Sequence, residues 1–248
     1  MKVSSFTLKC IAFLSLICYC VAYSGLIGEQ YIKIRFLLSL LGMISMPIIA
    51  FLIDEAYRRT GNINKLMIRT FIIALISAFP YRYAFISEAD MGISVVQSFF
   101  SGALTSFCCL GLILFYDKMK TRTQRAFCVA FICALSMLIG MELAPYALIL
   151  TAIIHIARDK KFSEMAYYIV SFLAVISLVS IILLFTSKSM EFTGELMRNI
   201  TLFGGIFALP FIKKYDGTKG PSNKFVTMVS YGFYPTLLII ISVVKFLL

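Results

Sequence analysis

A bundle of membrane-crossing helices is the fold this sequence predicts, and three observations predict it. Mean hydropathy is +0.94, and 60% of residues are hydrophobic while only 14% are charged. A soluble domain carries about 25% charged residues. Uncharged runs recur, among them Phe36–Leu52, Met165–Ser187 and Phe225–Val244. Lipid offers an open backbone no hydrogen-bond partner, so such runs cross a bilayer as helices. The gaps between the runs alternate between basic and nearly charge-free. The 248 residues are filled by these runs and short links, so a single integral-membrane domain over residues 1–248 is expected.

Nine segments are expected, at 6–27, 34–55, 67–86, 93–116, 126–141, 144–157, 164–187, 197–212 and 225–247. The first follows Lys2 and contains Lys9; the apolar core of residues 10–23 also reads as a signal peptide ending at Ala22-Tyr23-Ser24-Gly25. A retained helix is the preferred reading, because many spans follow it. The second holds the uncharged run from Phe36 and closes on Asp54-Glu55 beside Arg58-Arg59, expected to be paired charges at a helix end. The third ends at Pro80-Tyr81-Arg82, where Arg82 is expected to reach the interface towards Glu88 or Asp90. The fifth and sixth fall short of the roughly 17 residues a crossing helix needs. They are expected to form a shallow hairpin turning at Glu142–Pro145. In the short eighth segment Gly204-Gly205 is expected to permit close helix contact.

Charge sets the orientation. The segments 58–69, 118–125, 158–161 and 213–224, with Lys2 and Lys9, hold 17 of the 23 basic residues. Lys33, Arg35, Arg82, Lys188, Arg198 and Lys245 make up the other 6. Basic loops stay cytoplasmic, so the N-terminus is expected inside and the C-terminus outside. All basic loops share one side only if the fifth and sixth segments turn as a pair. The net charge of +11 is therefore spread over span ends, which argues against nucleic acid as a partner and for the lipid bilayer.

Chemistry is sparsely written. Seven cysteines, at 10, 18, 20, 108, 109, 128 and 133, lie in apolar segments without metal-ligand spacing, so neither a metal nor a disulfide is expected. No glycine-rich phosphate loop and no Gly-x-Ser-x-Gly is present. His155 is the one histidine, at the cytoplasmic end of the sixth segment beside Arg158. It is a conceivable general base, but no carboxylate partner is evident from sequence.

Four segments in order resemble the TraX family of polytopic membrane proteins. They are Thr7–Tyr19; Leu41-Gly42-Met43-Ile44-Ser45-Met46-Pro47 running to Glu55-Ala56-Tyr57; Arg69–Pro80; and Tyr231-Gly232-Phe233-Tyr234-Pro235-Thr236-Leu237. Weaker echoes are Gln97–Phe100 and Tyr215–Gly220. The resemblance implies a membrane acetyltransferase linked to conjugative pili, taking acetyl-CoA as donor and pilin as acceptor. The family pattern it implies has Asp-His where this chain has Cys18-Tyr19, an arginine at Met43 and a histidine at Leu237. None of the four can replace that acid–base set in kind, so a catalytically degenerate relative is expected. Cys18 and His155 remain the candidate reactive groups; an apolar setting keeps a thiol protonated, which weighs against Cys18. The alternatives are a non-catalytic membrane assembly factor or chaperone for pilin, and a small-molecule transporter; no inverted repeat supports the last.

A reporter fused after Lys120 or Lys219 is expected to read cytoplasmic, and one after Ser87 or Ser189 external. Inverted readings would overturn the orientation drawn from charge.

Overall fold

The computed structural model describes residues 3–85, 102–138, 144–186, 200–221 and 223–247. Its elements are helices throughout these residues: α1 (Ser5–Tyr23), α2 (Ile32–Gly42), α3 (Ser45–Arg59), α4 (Ile63–Phe85), α5 (Gly102–Lys118), α6 (Arg122–Leu138), α7 (Ala144–Ala157), α8 (Phe162–Thr186), the short α9 (Leu209–Lys213) and α10 (Lys224–Leu247). Short 3-10 turns cover Glu29–Tyr31 and Leu202–Ala208. Five helical stretches among the described residues are long and apolar enough to cross a membrane: Ser5–Tyr23, Ile32–Arg59, Ile63–Phe85, Phe162–Ile182 and Met228–Leu247. The chain is an all-α helical bundle, as its composition requires.

The expected segments match these elements with two informative departures. The second is not one smooth helix. Between α2 and α3 the ladder tightens, with Ile44 N–H on the Leu41 carbonyl (3.3 Å) and Met46 N–H on that of Met43 (3.3 Å). Pro47 explains it: proline has no N–H to give the carbonyl of Met43, four residues back, and its ring crowds that group. The Ser45 hydroxyl meanwhile bonds the Gly42 carbonyl at 2.7 Å. In its described part, from residue 200, the eighth segment runs through a 3-10 stretch into the five-residue α9 rather than continuing as one α-helix; residues 197–199 lie outside the described residues. The expected turn at Glu142 and the expected partners of Arg82, Glu88 and Asp90, lie outside the described residues.

The chain forms two compact units, residues 1–49 with 157–221, and residues 50–156 with 222–248. In the first, glycines set the helix distances. A Cβ on Gly42 would come within 2.7 Å of the Tyr19 backbone on α1, and one on Gly204 within 2.2 Å of the Leu40 carbonyl oxygen on α2. Small residues thus bring backbones into contact where the bilayer adds no hydrophobic drive between helices. A buried hydroxyl line supplements the packing: Tyr23 Oη to Ser39 Oγ at 2.6 Å, and Ser39 Oγ to Thr201 Oγ1 at 2.8 Å. The chain start is tied down as well. Val3 N–H bonds the Lys214 carbonyl (3.0 Å), Asp216 N–H the Val3 carbonyl (3.1 Å), and Ser5 N–H the Thr218 carbonyl (2.9 Å). The N-terminus and the 213–221 loop therefore lie at the same end of this unit, as their shared basic character suggests.

In the second unit α4 packs on α10 and α5. The Ser242 hydroxyl donates to the Pro80 carbonyl at 3.1 Å. Cys109 and Leu112 of α5, Cys133 of α6 and Leu148 and Ala152 of α7 form one buried cluster. The cysteines there are free and act as small apolar packing groups. That cluster holds α5, α6 and α7 together and leaves the ends of α5 and α7 side by side.

Gly42→Ala and Gly204→Ala are each expected to cost about 1–3 kcal/mol through forced overpacking. Gly111→Ala, whose Cβ meets nothing within 4 Å, serves as the neutral control. Thermal unfolding in detergent checks all three, and equal melting for Gly204→Ala and Gly111→Ala would contradict the close approach.

Candidate functional site

The C-terminal ends of α3, α5 and α7 carry the polar cluster of the second unit. Asp54 is completely buried on α3, with a side-chain exposure of 0%, while His155 in the last turn of α7 is 10% exposed and Asp117 at the end of α5 is 44% exposed. Asp54 Oδ1 lies 2.6 Å from His155 Nδ1, and Asp117 Oδ1 lies 3.0 Å from His155 Nε2. The imidazole is thus clamped between two carboxylates, one deep and one at the surface.

Each carboxylate has further partners. Arg58, one turn after Asp54, donates from Nε to Asp54 Oδ2 at 3.1 Å and from Nη2 to the His155 carbonyl at 3.1 Å. The Tyr57 hydroxyl donates to Asp117 Oδ2 at 2.9 Å. Residues 54, 57 and 58 share one face of α3 because three- and four-residue spacings bring side chains together. Tyr57 and Tyr116 set their rings edge-on to the imidazole, at 6.0 and 5.7 Å between centroids. Arg125 lies over the Tyr116 ring at 5.0 Å, with its Nε on the Met119 carbonyl at 3.0 Å.

The proton count of this array is informative. A neutral imidazole has one donor and one acceptor nitrogen, but an ionised carboxylate only accepts. Both contacts are hydrogen bonds only when the array holds one more proton, on the ring or on a carboxyl. The arrangement therefore stores a transferable proton between Asp54, His155 and Asp117. The ring nitrogens point at opposite carboxylates, so the oxygens do not converge. Among the described residues no group of three His, Cys, Asp or Glu side chains is arranged to hold a metal ion.

Two sequence expectations change here. His155 does have carboxylate partners, two of them, contributed by helices far apart in sequence. Asp54-Glu55 is also more than a charged helix end: both i,i+4 pairs, Asp54–Arg58 and Glu55–Arg59, are present, but Asp54 faces inward onto the imidazole. Sequence reading missed Asp117 altogether. The signal available was proximity to charge: Asp54, Asp117 and His155 each lie within a few residues of a basic loop.

The other predicted positions take no part in the hydrogen bonds just given for Asp54, His155 and Asp117, and each is placed within its own unit. Cys18, Tyr19 and Met43 belong to the first unit. The Tyr19 backbone receives Gly42, and its ring packs on Tyr23 at 4.7 Å. Met43 is buried. Leu237 is buried in the second unit.

The fold and site define a polytopic α-helical membrane protein with a histidine–carboxylate array at the ends of three helices. The family model described as TraX protein matches residues 4–245, and the chain belongs to the TraX family. Comparison with the curated proteins and with the solved structures yields no match.

Asp54→Ala is expected to destabilise the second unit by about 1–3 kcal/mol, because it leaves the His155 ring without its buried partner while Arg58 reaches water. Asp117→Ala, at a half-exposed position, is expected to cost much less. Melting of both variants in detergent checks this, and equal loss would deny Asp54 its central place.

Proposed function

We propose that the chain is an acetyl-CoA-dependent N-acetyltransferase of the inner membrane, acting on pilin from the cytoplasmic face, with His155 as general base. The observation that carries this reading is the buried Asp54 held 2.6 Å from His155 Nδ1. A carboxylate there fixes the ring and steadies the imidazolium that forms when Nε2 takes a proton. Arg58 fixes the carboxylate in turn. The four family-motif positions hold Cys18, Tyr19, Met43 and Leu237, so in this reading the acid–base work has moved to the ends of α3, α5 and α7.

The steps follow from the groups present. Asp117, half-exposed at the end of α5, draws the acceptor's ammonium group to the mouth of the array. Once the array has passed its extra proton to water by way of Asp117, the neutral His155 takes the ammonium proton at Nε2. The free amine attacks the thioester carbonyl, a C–N bond forms, the C–S bond breaks, and coenzyme A leaves as a thiolate that collects a proton. Acetyl-CoA supplies the activated acyl group. Its phosphates need cations, and the exposed Lys65 and Arg69 on α4, beyond the end of α3, suit them.

A second reading has its own support: Met43 and Leu237 are buried packing residues, as in a non-catalytic assembly factor that keeps the family scaffold. One experiment separates the two. Protein in proteoliposomes is given labelled acetyl-CoA and a peptide with the pilin N-terminus. Label on the peptide is expected, with His155→Ala and Asp54→Asn lowering turnover about 100-fold or more and Cys18→Ala leaving it unchanged. Crosslinking of the peptide without transfer would establish the assembly factor instead.

A further inference from the structure

We infer that the α5–α6 hairpin carries a dedicated site for an anionic diacyl phospholipid. The site is a groove of about 520 Å³ whose walls include Phe115, Phe127, Cys128, Phe131 and Ile132 and whose end is formed by Met119 and Thr123. That volume lies within the 300–1,000 Å³ range of ligand pockets. The groove follows α6 from Thr123 to Ile132, about 13 Å at the helical rise, long enough to seat a stretch of acyl chain. Phe127 and Phe131 stack with rings 14° from parallel and form one flat wall. Both are strongly exposed, so they fill no core of this chain.

The polar end identifies the occupant. Lys118, Lys120 and Arg122 are exposed and alternate with the groove residues Met119 and Thr123. Arg125 is turned away from them, bound to the Met119 carbonyl and the Tyr116 ring. No acidic residue occurs from 118 to 132. Thr121 and Gln124 cap the start of α6 reciprocally, at 3.2 and 3.3 Å, which directs the positive end of the helix dipole to the same place. An apolar slot whose lining residues Met119 and Thr123 are flanked in the chain by the exposed Lys118, Lys120 and Arg122, beside a helix start, complements a lipid with an anionic phosphodiester head. A partner helix would need no such cations, and a second copy would bring its own cations against them.

Native mass spectrometry of the detergent-solubilised protein tests this with phosphatidylglycerol and phosphatidylcholine. Retention of phosphatidylglycerol is expected to exceed that of phosphatidylcholine about tenfold, with no competition from glycerophosphoglycerol. The Lys118→Ala/Lys120→Ala/Arg122→Ala triple variant should abolish the preference. Phe127→Ala/Phe131→Ala should lower retention of both lipids while circular dichroism stays native. Equal retention of the two lipids, a preference that survives the triple variant, or a lipid-free dimer lost in the double phenylalanine variant would overturn the assignment.

Discussion

Burial of the Asp54 carboxylate is the constraint on which the second unit turns. An ionised group without partners in a low-dielectric interior costs several kcal/mol, so such groups occur only with charge and hydrogen bonds around them. Arg58 from the same helix and His155 from α7 supply them here. His155 in turn reaches Asp117 on α5. One buried acid thereby holds the ends of three helices in a single arrangement. Apolar packing through Cys109, Leu112, Cys133, Leu148 and Ala152 is permissive by comparison, since greasy side chains slide against each other more freely than a hydrogen-bonded array does.

The first unit solves a different problem with different means. Its helices approach through glycine, at Gly42 on Tyr19 and Gly204 on Leu40, and are pinned by a line of hydroxyls from Tyr23 through Ser39 to Thr201. Neutral hydroxyls are cheap to bury when paired, and each pair still fixes a register. The family's glycine motif is thus a packing device in this chain. The buried Met43 beside it serves the same end.

Such a division is what the proposed move of acid–base work away from the family-motif positions requires. A proton-handling site needs a base, an orienting acid and an open approach. The ends of α3, α5 and α7 supply all three: His155, the buried Asp54 and the half-exposed Asp117. The motif positions in the first unit supply none.

Much of this protein was legible in the one-dimensional chain. Uncharged runs of helical length dictate a membrane bundle, because lipid forbids an unpaired backbone. Paired glycines pointed to close contact at 204, whereas the tightened turn before α3 came to light only in the folded chain, where Pro47 explains it. Loop charge drew attention to His155 and to Asp54 at segment ends, but it did not single out Asp117. Only the tertiary structure decided that they touch. Contact depends on how three helices rotate about their own axes, and that rotation comes from packing among side chains distant in sequence. A sequence records each helix's faces, but which face meets which neighbour is a property of the assembled bundle.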